Sequence, residues 1–477
     1  MNDYSKKLDK TWYNLGILVA IPICYGLCLL FPPSRNILAD HTPYTAAQWI
    51  ISLVMMSVPF VALMLSSTFL QATWENKLLW FTTALLFASI VHSPRFTLDV
   101  QIPFFVATIL YTVIHRNEFC FRFSWTYMFV VLYFLWYAIS LTWSTDVMWG
   151  KKLLGRMIPL LSFPFCFLLF QLPKDVVTNL LKLFWRVSIV ACVLSFCSAI
   201  YEMRYLQQPL SDLFSFSKHL IANKYYCYDI LFAWSGKPHP SFNALWQVGA
   251  TIIALYLWNR KEIRAFDAVV SCMLFLGVGL MAQSRICLIL CVFCYILAFG
   301  YVNRQRYILL SICVVTIISI GIIFYLVSPE FFAQFADQTR EQMRNYAYEY
   351  IRTHRWLGSG IGGMTTENMR NVFPHFRFSA HFDFYPHHQF LGDGMQGGLI
   401  GLLLLIGMIL SYSITAIKRH NVMAIVYAIT IVVFMLIEMP FYIFSGVITI
   451  SFIGSFLLIQ CQADDTASNK PLDVVSN

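Results

Sequence analysis

Long apolar runs recur along almost the whole chain of 477 residues, and they limit what it can fold into. A helix that crosses a bilayer needs about 20 consecutive apolar residues, and many runs of this chain approach or reach that length. The runs lie near residues 13–31, 48–70, 78–93, 102–115, 124–143, 155–172, 179–201, 243–258, 266–283, 286–302, 307–327, 398–417, 421–438 and 441–460. They are continuous rather than alternating, which disfavours a β-barrel.

Composition supports the same class. Charged residues make up only 12% of the chain, whereas an ordinary soluble domain has roughly 25%. This argues against a soluble globular enzyme, and the high apolar content of 58% argues against a disordered chain. We therefore predict an all-α polytopic membrane protein with about 12–14 transmembrane helices.

The lysines and arginines of the short loops set the orientation. An amino terminus in the cytoplasm places most of them inside. These are Lys6, Lys7, Lys10, Lys77, Arg116, Arg122, Lys174, Arg260, Lys261, Arg264, Arg304, Arg306, Lys418 and Arg419. The exception is the group Lys151, Lys152 and Arg156, which falls outside; it is either an error of this count or a functional basic patch.

Two long loops, 203–242 and 328–397, fall on the outer side of the membrane, and the second contains a helix-forming stretch. Long loops are uncommon in compact proteins and often functional. We treat 1–461 as a single integral membrane domain that includes both loops, and 462–477 as a disordered cytoplasmic tail. The chain has no nucleotide-binding fingerprint, so we predict no cofactor and no nucleic-acid partner, and the oligomeric state stays open.

The densest polar cluster runs from His381 to Gln389, just before an apolar run. Three histidines in so short a stretch are compatible with a general base, because imidazole titrates near neutral pH. They are also compatible with a metal site that includes Asp383, or with an aromatic–histidine belt at the membrane interface. From spacing alone, His387 and His388 keep all three interpretations.

Arginines form the second group of candidates. Arg285 stands between two apolar runs with almost no loop, where a guanidinium is costly unless it is paired or useful. It is either an anchor that extends to the interface or a clamp for a phosphate. Arg340 and Arg344 are one helical turn apart, so they share a face that is either solvated or anion-binding. The segment from Gly358 to Gly363 is a turn that ends this helix, or a loop whose amides bind an anion.

The order of these elements resembles the O-antigen ligase/polymerase superfamily of bacterial envelope glycosyltransferases. Members carry H-N-x-Y-L, six further residues and G-L-I-G. Here His387-His388-Gln389-Phe390-Leu391 is followed, after six residues, by Gly398-Leu399-Ile400-Gly401. His388 stands where Asn is usual, and Gln396 stands where many members have Glu.

Other elements of the superfamily occur in the expected order. Ser284-Arg285 is similar to its Ser-Arg or Thr-Arg pair at the start of a span. Arg340 is similar to the arginine that precedes its outer amphipathic helix and glycine-rich end, although Arg355 replaces the usual proline. Two weaker similarities are Trp143-Ser144-Thr145-Asp146 and His239-Pro240-Ser241-Phe242-Asn243.

The resemblance implies a C-type glycosyltransferase-like membrane enzyme with a helical periplasmic loop subdomain, in the bacterial inner membrane. Such enzymes move a glycan from undecaprenyl diphosphate to an acceptor hydroxyl at the periplasmic face, with inversion and without a metal. His387 is then the general base, and Arg285 and Arg340 neutralise the diphosphate. Arg344, His388 and His239 are the implied substrate-binding residues.

Three functions follow, and the first is favoured. A ligase uses the lipid A–core as acceptor, whereas a polymerase uses another lipid-linked repeat unit. A transporter or flippase would instead use buried Arg and His to relay protons or to bind a lipid head group. The absence of a clear internal repeat and the large outer loop favour an enzyme over a transporter.

Overall fold

A computed structural model of the protein describes residues 57, 60–92, 94–116, 124–205, 220–221, 224–225, 240–282, 290, 338–364 and 386–461. The predicted spans 13–31 and 307–327 and the tail 462–477 lie outside these residues. Of the span 48–70 the structure describes residues 57 and 60–70, and of the span 286–302 it describes residue 290 alone.

Helices make up nearly all the regular structure of the described residues. In chain order they are α1 (Ser67–Gln71), α2 (Trp74–His92), α3 (Pro94–Ile114), α4 (Trp125–Ser140), α5 (Val147–Leu168), α6 (Lys174–Tyr205), α7 (Pro240–Asn259), α8 (Ala265–Met281), α9 (Gln338–Thr353), α10 (Gln389–Lys418), α11 (Val422–Met435) and α12 (Phe444–Ser455). Short helical turns add Leu141–Trp143, Pro440–Tyr442 and Phe456–Gln460. A two-residue antiparallel ladder joins β1 (Leu220–Ile221) to β2 (Lys224–Tyr225).

The helices follow the predicted apolar runs and confirm the all-α polytopic membrane class. Four of the described helical segments are long and apolar enough to cross a membrane: Thr97–Ile114, Trp125–Trp143, Lys174–Cys197 and Gln389–Lys418. The apolar run 102–115 is shorter than a bilayer-spanning helix, but it belongs to the 21-residue helix α3. That helix is long enough to cross a membrane. Helix α9 lies in the predicted loop 328–397, which agrees with a helical loop subdomain.

Polar residues at the edges of the apolar runs begin several of the helices. Ser124, Asp146 and Asn421 each accept a hydrogen bond from the backbone amide three residues later, at the starts of α4, α5 and α11. Such caps contribute about 1 kcal/mol each, because they pair amides that the helix itself leaves unpaired. The sequence therefore sets these helix starts locally.

A cluster of phenylalanine rings packs at the centre of the bundle. Phe87 of α2 meets Phe452 and Phe456 edge-on, with ring centroids 4.7 and 4.9 Å apart. Phe163 and Phe167 of α5 contact Phe452 of α12 at 5.2 and 5.5 Å. Edge-to-face pairs of this kind add about 0.5–1.5 kcal/mol beyond burial of their area. Helices α2, α5 and α12 are thus held side by side.

Contacts at both ends of α4 and α10 show that these helices run antiparallel. Thr126, at the start of α4, lies 3.4 Å from Thr415 near the end of α10, measured between the hydroxyl oxygens. At the other extremity Tyr137 contacts Asp393, close to the start of α10. We call the end at which α10 begins the His387 end, and the other the opposite end.

The two ends separate the basic residues as the sequence predicted. Helix α7 begins at the His387 end and finishes at the opposite end, where Glu262 binds Lys182 at 2.8 Å. The opposite end therefore carries Lys174, Arg260, Lys261, Arg264, Lys418 and Arg419. The group Lys151, Lys152 and Arg156 lies at the His387 end, because Arg156 donates a hydrogen bond to the carbonyl of Tyr442 there.

Helix α10 is interrupted at Gly398. Its backbone has φ 62° and ψ −161°, outside the helical range, so the predicted span 398–417 is the part of α10 that follows this break. The amide of Leu399 instead binds the carbonyl of Arg355 at 2.8 Å. A Cβ at position 398 would overlap the carbonyl of Trp356. Only glycine therefore lets the segment after α9 pack so closely against α10.

We expect Gly398→Ala to destabilise the protein by at least about 2 kcal/mol, because alanine adds a left-handed backbone cost to the overlap with Trp356. Thermal unfolding in detergent measures this. Gly155→Ala is the matched control: it lies in a helix with nothing near its Cβ position, so it should be neutral or slightly stabilising. Equal Tm values for the two variants would contradict the close packing.

Candidate active site

A buried carboxylate joins four stretches of the chain at the His387 end. Glu438 lies between α11 and α12, and its side chain is only 2% exposed. Its Oε2 atom lies 3.1 Å from Nδ1 of His387, and its Oε1 atom lies 3.6 Å from Nη2 of Arg340. Oε1 also accepts a hydrogen bond of 3.0 Å from the hydroxyl of Ser241. We call these four side chains the Glu438 cluster.

The sharp turn that enters α10 aims His387 at Glu438. His387 has φ 49°, a left-handed conformation that is uncommon for a residue other than glycine. His388 follows with an extended backbone, and its Nδ1 accepts a hydrogen bond of 3.3 Å from the amide of Leu391. Consecutive histidines thus have different contacts: His387 meets the carboxylate, and His388 caps the helix.

The carboxylate of Glu438 needs its partners. An ionised carboxylate that is removed from water loses several kcal/mol of hydration, and only pairing and hydrogen bonding recover this energy. Here a hydroxyl, an imidazole and a guanidinium converge on the two oxygens. Removal of any one partner therefore leaves a buried charge less well compensated.

The contact with Glu438 also sets the chemistry of His387. A carboxylate that accepts a hydrogen bond from Nδ1 favours the tautomer with its proton on that nitrogen, so that Nε2 carries the lone pair. The same carboxylate stabilises the imidazolium that forms when Nε2 takes a proton. The dyad has the composition of an oriented general base.

Arg340 and Arg344 lie on one face of α9, as the sequence predicted. The Arg340 side chain is 30% exposed, so its guanidinium meets both the buried carboxylate and the outside. Arg344 is exposed, and its Nε donates to the carbonyl of Arg340 at 3.3 Å. The pKa of His388 is lowered, first because burial disfavours the charged ring and second because the Arg344 cation repels it. Arg344 therefore acts on the same turn as His387.

The glycine-rich segment after α9 is a docking turn. The amide of Gly360 binds the carbonyl of Gln396 at 2.9 Å, and the amide of Gly362 binds its side-chain oxygen at 3.2 Å. The amide of Ile361 binds the hydroxyl of Ser140 at 3.0 Å. Ser144, from the W-S-x-D element, donates to the carbonyl of Ile361 at 2.6 Å. These amides hold α9 against α4 and α10, which favours the turn over an anion-binding loop.

A second buried carboxylate lies behind the cluster. Asp393 of α10 is 2% exposed and accepts hydrogen bonds from Tyr133 at 3.0 Å and from Tyr137 at 2.6 Å. The amide of Gln389 donates to it as well, at 3.1 Å, and the Gln389 oxygen accepts from the backbone of Phe441 at 3.0 Å. This network connects α4 and the start of α10 to the segment that carries Glu438.

The structure thus unites two predicted residues, His387 and Arg340, in one cluster, with Arg344 and His388 beside it. The predicted residues Arg285 and His239 lie outside the described residues, as do His381 and Asp383 of the metal-site interpretation. Six residues keep predicted roles in catalysis or binding that the structure does not test: His387, Arg340, Arg344, His388, Arg285 and His239.

Sequence reasoning missed Glu438, although the sequence contains a signal for it. It is the only acidic or basic residue from 421 to 461, between two apolar runs. An isolated charge in such a place is costly unless it has a partner or a function. Asp393, which lies in the glycine-rich start of α10, was missed as well, because its tyrosine partners are about 260 residues away in the sequence.

Fold and cluster together define a helical membrane protein with an oriented histidine and an arginine at one end of its bundle. Residues 268–406, less than a third of the chain, match the family model described as O-Antigen ligase. This match confirms the resemblance found in the sequence: over this segment the chain is similar to the O-antigen ligase family. It includes Arg340 and His387 and ends before Glu438. A comparison with curated proteins gives no match.

Stability should depend on pH through His388. Its folded pKa is below the unfolded value of about 6.5, so the unfolded chain binds more protons as the pH falls. Its contribution is complete above about pH 7 and is lost as the pH drops through the lowered folded pKa. We expect His388→Asn to keep the cap, because Asn also accepts from the Leu391 amide, and to reduce this acid-side loss.

Thermal unfolding of wild type and His388→Asn between pH 5 and 8 tests this expectation. His388→Ala is the comparison, because it also removes the titrating group but loses the cap. It should be less stable than His388→Asn by about 1 kcal/mol at every pH. Equal pH slopes for wild type and His388→Asn would contradict the buried environment of the ring.

The tyrosine contacts of Asp393 should matter for stability. We expect Tyr137→Phe to cost about 1–3 kcal/mol, because it removes a short hydrogen bond to a buried carboxyl and leaves that acceptor less satisfied. Unfolding in detergent gives the value. Tyr348→Phe makes the same chemical change at a side chain that is 59% exposed, and it should be neutral. A Tyr137→Phe protein as stable as Tyr348→Phe would disprove the role of the contact.

Proposed function

We propose that the protein is an O-antigen ligase of the bacterial inner membrane. In this proposal it transfers a glycan from undecaprenyl diphosphate to a sugar hydroxyl of the lipid A–core at the periplasmic face. The observation that carries the proposal is the contact of His387 with a buried carboxylate that Arg340 shares. The matched family model supports the reaction class.

The reaction needs a base for the acceptor hydroxyl and positively charged groups for the leaving diphosphate. The acceptor hydroxyl must lose a proton as its oxygen attacks the anomeric carbon, and the bond from that carbon to the diphosphate oxygen must break. In the proposal Nε2 of His387 takes the proton, and Glu438 stabilises the resulting imidazolium. A general base contributes about 10²–10⁴-fold to such a step. A single displacement of this kind inverts the anomeric centre.

The leaving diphosphate gains negative charge in the transition state. The Arg340 side chain is 30% exposed and lies beside the proposed base, and one guanidinium can bind two phosphate oxygens at once. Arg285, which the family pattern pairs with it, is the second proposed clamp. Two fixed cations would stabilise the developing charge in place. Arg344, His388 and His239 are the proposed contacts to the glycan or the phosphates.

Orientation follows from charge. The opposite end of the bundle carries the basic residues that the sequence assigned to the cytoplasm. We therefore propose that the Glu438 cluster faces the periplasm, where lipid-linked glycans are available after export.

Transfer with purified protein, lipid-linked glycan and rough lipopolysaccharide tests the proposal. We expect His387→Ala to lower kcat by about 10²–10⁴-fold and Arg340→Ala to lower kcat/KM by about 10²-fold. Glu438→Gln should lower kcat with little change in KM, because it removes the charge that stabilises the imidazolium. The matched controls are His354→Ala and Arg352→Ala, which change exposed residues of the same subdomain.

The product identifies the activity. Glycan on the lipid A–core indicates the ligase, whereas longer lipid-linked glycan indicates the polymerase. Wild-type transfer by His387→Ala, or no product of either kind from the wild type, would contradict the proposed mechanism.

A further inference from the structure

Three side chains of α5 form a basic–aromatic patch at the His387 end. Trp149, Lys152 and Arg156 lie on one helical stripe, because their spacings of three and four residues are close to whole turns. The Lys152 ammonium lies 5.7 Å from the centroid of the Trp149 ring, and the Arg156 guanidinium lies 5.2 Å from it. The patch therefore gathers two cations around a single indole.

Among the described residues, the cations of the patch have aromatic and backbone neighbours rather than acidic ones. Within the part of the chain that the structure describes, no ion pair forms to Lys152, Arg156 or the neighbouring Lys151. The acidic residue closest in sequence, Asp146, uses its carboxylate to cap α5 through the amide of Trp149. Like charges around one ring repel each other, so a bound anion would relieve that repulsion.

Two of the three side chains of the patch, those of Trp149 and Arg156, are held in place by hydrogen bonds. The indole N–H of Trp149 donates to the hydroxyl of Tyr442 at 3.0 Å, and Nη1 of Arg156 donates to the carbonyl of the same residue at 3.2 Å. Tyr442 thus fixes both the ring and one edge of the guanidinium. Fixed cations bind a phosphate better than flexible ones because less side-chain entropy is lost.

Tyr442 also connects the patch to the Glu438 cluster. It ends the helical turn Pro440–Tyr442, which follows Glu438 almost directly. The backbone of Phe441 in this turn binds Gln389, which lies two residues after His387. An anion on the patch would therefore lie against the same connection that carries Glu438.

Exposed apolar side chains surround this end of α5. Met148 is 69% exposed, and Trp356 and Leu357, which follow α9, are 66% and 48% exposed. The indole N–H of Trp143, shortly before α5, donates to the carbonyl of Leu357, so the segment after α9 lies beside the segment that leads into α5. Apolar and aromatic side chains beside lysine and arginine are typical of the depth at which lipid head groups lie.

We propose that the patch of Trp149, Lys152 and Arg156 binds a phosphoryl group of a lipid-anchored substrate next to the Glu438 cluster. The proposal rests on the proposed function for the identity of that substrate. The phosphate belongs either to the diphosphate of the donor or to a phosphorylated lipid A–core acceptor. The patch is then a second anion subsite, separate from Arg340.

A binding measurement tests the patch without turnover. The full chain in nanodiscs of zwitterionic lipid is titrated with undecaprenyl diphosphate and, separately, with rough lipopolysaccharide, before and after enzymatic removal of its phosphates. We expect Lys152→Gln and Arg156→Gln to weaken binding of one of these probes about tenfold, because each removes a charge-assisted contact. Arg156→Lys should recover part of that loss, since it keeps the charge but not the planar fork.

The control is Lys418→Gln, which removes one exposed positive charge at the opposite end of the bundle. A loss seen with undecaprenyl diphosphate assigns the patch to the donor. A loss seen with phosphorylated but not with dephosphorylated lipopolysaccharide assigns it to the acceptor. Affinities within twofold of wild type for all probes, or an equal loss in Lys418→Gln, would overturn the proposal.

Turnover separates this proposal from the proposed function. If the wild type transfers glycan, the patch variants should raise KM for the assigned substrate by the same factor, with little change in kcat. If the wild type binds the probe through the patch but transfers nothing, the ligase proposal fails while the subsite stands.

Discussion

The buried carboxylate of Glu438 is the constraint on which the rest of the site depends. A charge that is almost completely removed from water is tolerated only where partners replace its hydration. Ser241, His387 and Arg340 come from the start of α7, the turn before α10 and the start of α9, and each meets one of its two oxygens. The position of His387 therefore follows from the need of the buried Glu438 carboxylate for partners. The packing of the helices brings those partners within reach.

The surrounding structure keeps that geometry fixed. Asp393 and its tyrosines bind α4 to the start of α10, while Gln389 links the same point to the turn after Glu438. On the other side, the glycine-rich turn after α9 docks its amides on α10 and α4, which sets the position of the helix that carries Arg340. Polar groups buried within a helical membrane protein cost free energy unless they are paired. Here their hydrogen bonds join the helices and turns that carry the site residues.

Two regions of positive charge therefore lie at one end of the bundle. Arg340 lies 3.6 Å from the Glu438 carboxylate that also contacts His387, so its charge is partly compensated there. Among the described residues, the cations of α5 have an indole and a carbonyl as neighbours and no ion-pair partner. A substrate with two phosphates, or two substrates with one phosphorylated group each, would suit such an arrangement. The two regions therefore differ in what their cations contact, which is a carboxylate in the first and an aromatic ring and a carbonyl in the second.

The sequence by itself determined the class of fold, most of the described helix positions, and two members of the site. Apolar run length fixes a membrane helix because the bilayer has a fixed thickness, and side chains such as Ser124 and Asp146 fix helix starts through local hydrogen bonds. His387 and Arg340 were predicted through the resemblance to a known family, whose motifs at these two residues are short local patterns. Only the tertiary structure revealed Glu438 as their partner, across 51 and 98 residues, and joined Asp393 to Tyr133 and Tyr137. Contacts at such separations depend on which helices pack together, and a linear pattern does not encode that choice in any short stretch.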